Sequence, residues 1–249
     1  MVASVQSQIK AREQVQAWEE VIPNYTSRAG DIPPLENGDR LSRREFERRY
    51  AATPGLKKAE LIEGVVYMPS PVRIDFHALQ HSLLIGWLTV YYAATPNLIL
   101  GDNATVRLDA DNEAQPDALL MIARGGQAHV DEDGYVAGAP ELVFEVASTS
   151  AAYDLREKLN VYRRCGVKEY AVWRTREAAL DWWRLREGVY HPSPVDESGV
   201  LTSETFPTLR LNVAALLRGD IAAVLEMQRQ SLMREDHTRF AEWLRGLRA

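Results

Sequence analysis

The chain has a single cysteine, Cys165, in 249 residues. One thiol excludes an intrachain disulfide and any thiolate zinc site built by this chain alone, and it fits a reducing cytoplasm. Long apolar runs are missing too. The longest, Leu83 to Ala94, is interrupted by Thr89 and is too short for a hydrocarbon layer of about 30 Å, so it reads as a buried helix. MVASVQSQIKAREQ has polar residues where a signal peptide needs a continuous apolar stretch, and it reads as the start of a mature chain. Basic charge is not in excess: 29 Lys and Arg against 35 Asp and Glu give a formal charge of −6. That argues against a chain coated in nucleic acid but leaves room for a local basic track.

Several catalytic patterns are absent as well. There is no G-x-x-x-x-G-K-[ST] phosphate loop, and Ser148 to Ser150 lack the flanking glycines of a nucleophile elbow. His77 and His81 have metal-ligand spacing, but Ala78 stands where a zinc protease needs its glutamate base. Asp109, Asp111 and Glu113 fail as a calcium loop, because Ala114 replaces the required Gly and Leu120 the closing Glu. No internal repeat is visible.

What is present is ordinary globular composition, 46% hydrophobic and 26% charged. The length supports one large core with terminal additions. Residues 1–40 read as an extension, loosely helical from Val5 to Trp18 and then a Pro, Gly, Asn and Asp-rich linker. The main domain is expected over 41–211 and a helical C-terminal extension over 212–249. Ser42 with Glu45 three residues on is a capping pair for a helix. AELIEGVVYMPSP reads as two short strands about a Glu63-Gly64 turn. Phe76, Leu79, Leu83, Trp87 and Tyr91 mark a long amphipathic helix. Strands are expected at Leu98 to Leu100, Ala104 to Leu108, Asp117 to Ile122, Glu141 to Ala147, Val167 to Trp173 and Ala179 to Leu185. Residues Arg124 to Gly138 read as a loop, and Asp154 to Arg164 as a helix capped by Asp154 and ended at Cys165-Gly166.

Three carboxylates stand in or at the mouth of apolar strands: Glu60, Asp117 and Glu145. Burying an ionised carboxylate costs several kcal/mol unless it is paired or binds a metal. Neighbouring strands lie about 4.8 Å apart, so acids at similar heights can share a divalent cation. The alternative is that each points to solvent from a strand end. Lys158 lies one short loop beyond the Glu145 strand, in the first turn of a helix capped by Asp154, within reach of the acids. Its alternative is an i, i+4 pair with Asp154 on a solvated face.

AELIEGVVYMPSP, His77 in the following helix, QPDALLMI, GAPELVFEVAS, the series Asp154, Lys158, Tyr162, and GVKEYAVW together resemble the Uma-two family of restriction endonucleases, within the PD-(D/E)xK nuclease superfamily. The resemblance covers about Ser42 to Tyr190 and implies a restriction-endonuclease-like α/β fold, a mixed β-sheet flanked by helices. It implies Glu60, Asp117 and Glu145 as acids of a site for Mg2+ or Mn2+, and a catalytic role for Lys158. Ala147 stands where the superfamily pattern has its lysine, and the resemblance supplies that lysine from the next helix as Lys158.

The implied activity is metal-dependent hydrolysis of DNA phosphodiester bonds. The alternative is a catalytically silent, nuclease-like binding or assembly module. Between Leu41 and Lys58, six basic residues (Arg43, Arg44, Arg48, Arg49, Lys57, Lys58) outnumber two acidic ones. Such a track suits phosphate contacts, and a solvated helix face explains it equally well. The C-terminal helices could pack on the core or serve a homodimer.

Overall fold

The computed structural model describes residues 32–68, 77–148 and 151–247. The expected helix from Val5 to Trp18, most of the linker, and Phe76 lie outside the described residues.

The chain enters through α1 (Arg43–Ala51), where the Glu45 N–H donates to Ser42 Oγ as the capping pair predicts. β1 (Glu60–Ile62) and β2 (Val65–Tyr67) form the expected hairpin. Its turn residues Glu63 and Gly64 take φ of 52° and 72°, both left-handed, as a two-residue turn between twisted strands requires. α2 (Leu79–Ala94) follows, then β3 (Leu98–Asp102), β4 (Val106–Arg107), β5 (Glu113–Ala114) and β6 (Ala118–Ile122). The segment 124–138, expected as loop, contains the two short strands β7 (His129–Val130) and β8 (Val136–Ala137). Two-residue strands carry no readable alternation, so periodicity could not find them.

β9 (Leu142–Ala147) leads to a helix in three parts: α3 (Ala151–Tyr153), a π-helical turn (Asp154–Lys158) and α4 (Leu159–Cys165). Gly166, at φ 93°, ends it by donating its N–H to Tyr162 and Arg163 carbonyls. β10 (Glu169–Arg174), β11 (Ala179–Arg186) and β12 (Val189–Pro192) come next, followed by a hairpin not foreseen, β13 (Val200–Thr202) and β14 (Arg210–Asn212). The chain finishes on α5 (Val213–Leu217), α6 (Ile221–Leu232) and α7 (Glu235–Gly246).

The principal sheet has the order β12-β11-β10-β9-β6-β3, with β9 and β10 parallel and the other pairs antiparallel. A smaller mixed sheet runs β2-β1-β5-β4-β8-β7. The fold is therefore α/β, with mixed sheets flanked by helices.

Side chains of the central strand β9 alternate between two cores. Leu142, Phe144 and Val146 join Leu84, Trp87, Leu88 and Tyr91 of α2 and Val224 and Leu244 of the C-terminal helices. Val143 and Ala147 join Val161 and Tyr162 of α4, with Ile62 and Ala114 from the small sheet. Glu145, between Phe144 and Val146, is thereby directed to the second face. Leu79, counted in the α2 stripe from spacing, is 54% exposed; the buried set is shifted to Leu84, Trp87, Leu88 and Tyr91. The C-terminal helices pack on this chain's own core, α6 against α2.

Candidate active site

The four residues singled out from sequence meet at the seam between the two sheets and the three-part helix. In the β6–β9 register Ala118 faces Phe144, and one further step sets Asp117 beside Glu145. Asp117 Oδ2 accepts the Val146 N–H at 2.7 Å, which clamps the two strand ends together. Glu60 comes from the small sheet, where its Oε1 accepts the Gln115 N–H at 2.7 Å. Lys158 Nζ lies 2.9 Å from both Glu60 Oε1 and Glu145 Oε1.

This overturns the expected setting of Lys158. Asp154 does not cap a helix; the backbone is already helical at Tyr153, and the π-turn carries both Asp154 and Lys158 inward. The i, i+4 pair with Asp154 exists at 3.7 Å, but in the interior, with both side chains 4% exposed. A π-turn widens the helix by one residue per turn and commonly accompanies a functional site.

Two residues were missed in this setting. Asp154 is the fourth buried carboxylate near the ammonium, and Tyr162 donates its hydroxyl to Glu145 Oε1 at 3.1 Å. Their signal was the spacing Asp154, Lys158, Tyr162, one residue per helical turn, taken for a cap, a site lysine and an apolar stripe. The Lys158 ammonium also lies 5.5 Å from the Tyr153 ring centroid.

Four buried acids against one ammonium leave an excess of negative charge. Burial pushes the Glu145 carboxyl up to about 8; Lys158 opposes that rise, while Asp154, Asp117 and Glu60 add to it. Burial works against the Lys158 ammonium, yet Glu145 and Glu60 hold its pKa well above the ordinary lysine value, so it keeps its proton. Burial and the neighbouring Glu145 likewise keep the Tyr162 hydroxyl protonated. Asp117 goes the other way. Burial alone would raise it, but the His77 hydrogen bond, the Lys58 charge and the Val146 N–H together bring it down to about 2.

The three proposed metal acids do not bring one oxygen each within 4.8 Å of one another. Among the described residues, one group of three potential ligands does, and it is His77, His81 and Asp117.

Buried acids elsewhere have structural duties. Glu141 accepts the Ile122 and Gln127 N–H groups, and Glu169 accepts from Trp182, Ser203 and Thr205. A buried strand carboxylate was therefore not by itself diagnostic.

The basic segment divides. Arg43 pairs with Glu47, Arg48 with Glu45, and Arg49 with Glu45 and Asp39. Arg44 and Lys57 are exposed and make no ion pair among the described residues, while Lys58, two residues before Glu60, bears on Asp117. No helix among the described residues is long and apolar enough to cross a membrane.

The mixed sheets and the acid-and-lysine cluster at their seam define an α/β protein with a buried, charged centre. A family model described as "Uma2: Putative restriction endonuclease" matches residues 43–214, more than half of the chain. The chain belongs to that family. A comparison with curated proteins returns no match. Among solved structures, one described as a "putative nuclease belonging to DUF820" from Anabaena variabilis ATCC 29413 is similar at 16% identity and a TM-score of 0.47, over 69% of this chain and 96% of that one.

Proposed function

We propose that this chain is a divalent-metal-dependent endonuclease that hydrolyses DNA phosphodiester bonds, with Glu60, Asp117, Glu145 and Lys158 as its site. The observation that carries the reading is the convergence on one buried lysine of acids from β1, β9 and the π-turn, with Asp117 set beside Glu145 at the entry to β6. Carboxylate oxygens are the donors that hard divalent cations take, and the excess of buried negative charge favours a cation.

Asp117 and Glu145, on adjacent strand ends, would hold Mg2+ or Mn2+, with Glu60 at the margin. The ion would supply Lewis acidity to the water and to the scissile phosphate. Lys158, protonated, would offer hydrogen bonds to a phosphoryl oxygen as charge develops there. Tyr162 orients Glu145 through its hydroxyl. Arg44, Lys57 and Lys58 would meet the DNA backbone.

A second reading is favoured by the two 2.9 Å ion pairs of Lys158, which would also suit a structural centre in a silent binding module. One assay separates the two. Plasmid, linear and single-stranded DNA are incubated with Mg2+, Mn2+ or EDTA, alongside Asp117→Asn and Glu145→Gln. Cleavage that requires metal and is lost in both variants supports the enzyme; a folded wild type that cuts none of the substrates supports the silent module.

A further inference from the structure

His77, two residues ahead of α2, and His81 within it bring their rings together, with centroids 5.9 Å apart. His77 Nε2 lies 3.3 Å from Asp117 Oδ2. His81 Nε2 lies 2.9 Å from the Asp117 carbonyl oxygen and 3.0 Å from Asp102 Oδ1. One ligand atom from each of His77, His81 and Asp117 falls within 4.8 Å of the others. The buried Nδ1 of His77 has no hydrogen-bond partner among the described residues, so pairing with Asp117 leaves this imidazole half satisfied.

We propose that His77, His81 and Asp117 form a binding site for a divalent metal ion of the Co2+ or Zn2+ kind. Two imidazoles are borderline donors, which suit these ions, with one carboxylate to balance charge, whereas Mg2+ selects oxygen. Ligands held at about 2.1 Å around a tetrahedral ion stand about 3.4 Å apart, close to the 3.3 Å between His77 and Asp117. Asp102, at the exposed edge beside His81, is placed to be a fourth donor. Asp117 is common to this site and to the Lys158 centre, so an ion held by the histidines sits against the acid cluster. The site goes beyond the cleavage reading, since its donors and its metal preference differ from those of a carboxylate Mg2+ centre.

The test is Co2+ titration of the metal-stripped full chain in excess Mg2+, followed by visible absorption, calorimetry and the paramagnetically shifted imidazole protons. The expected result is one Co2+ per chain that Mg2+ does not displace, with shifted signals from two histidines. His77→Gln and His81→Gln should each weaken Co2+ binding tenfold or more, with circular dichroism verifying the fold. His77→Asn and His81→Asn provide a second pair if either Gln variant unfolds. Glu145→Gln, which removes no ligand of this site, should weaken Co2+ binding less than either histidine variant. Unchanged Co2+ binding in the folded histidine variants, or loss of binding in Glu145→Gln alone, would place the ion at the carboxylate centre and overturn the proposal. Cleavage fails or survives separately: DNA left uncut with Co2+ bound at the histidines counts against the nuclease reading alone.

Discussion

Replacing Lys158 by methionine removes the ammonium and keeps most of the stem volume. Glu60 and Glu145 then lose a partner at 2.9 Å, each with a side chain no more than 6% exposed. Removing one member of a buried ion pair costs about 3–5 kcal/mol, because the remaining charge is left unpaired in a poorly solvated place. For a chain of this length 1 kcal/mol corresponds to about 2–4 °C in melting temperature, so the expected fall is on the order of 10 °C.

The cost should also depend on pH. The Glu145 carboxyl, already raised to about 8 by burial with the ammonium in place, goes higher without it. In acid both proteins hold Glu145 neutral, and its share of the difference vanishes. Above about pH 8 the wild type ionises Glu145 while the variant resists, so the gap widens. Thermal melts of both proteins at pH 5.5 and pH 9 measure this, with Lys158→Met/Glu145→Gln as the double variant that should recover part of the loss. A deficit under about 1 kcal/mol at pH 9, the size of an exposed pair, would refute the reasoning and return Lys158 to a solvated role.

Three other outcomes follow from the same geometry. Mn2+ at a hundredfold excess over its Kd should add about 2.7 kcal/mol of stability, and Asp117→Asn, which removes a ligand from either proposed site, should abolish the increment; equal melting shifts in both proteins would count against a metal at Asp117. Glu113, whose carboxyl is raised to about 8 first by burial and then by Glu47, holds its proton more tightly when folded. Its contribution is therefore full below about pH 4.5 and lost as pH rises through 8, so Glu113→Gln should flatten the stability slope in that window by up to about 1.4 kcal/mol per pH unit, read by urea unfolding. Neutralising Arg44, Lys57 and Lys58 together should reduce the slope of log DNA affinity against log salt by about 0.9 per lost phosphate contact, and an unchanged slope would move the track elsewhere.

Much of this protein was legible residue by residue. The capping pair Ser42 and Glu45, the Glu63-Gly64 turn, the apolar run of β9 and the Gly166 stop act over three to six neighbouring residues, and short-range sterics and hydrogen bonding decide them. Glu60, Asp117 and Glu145 could be picked out for a related reason: an acid in an apolar strand is costly wherever that strand ends up. The same reasoning could not separate them from Glu141 and Glu169, which backbone and side-chain donors satisfy in the folded chain. Strand order and register were settled only by tertiary packing, because they depend on which strands meet across tens of residues. That order sets Asp117 beside Glu145 and brings Glu60 to them from another sheet. Lys158 was expected within reach of the acids, but the π-turn that carries it and Asp154 into the interior was not foreseen, since a one-residue widening of the helix is invisible to a 3.6-residue period. The pairing of His77 and His81 with Asp117 is of the same kind: helical spacing joins the two rings, and only the packing of α2 on β6 supplies the carboxylate.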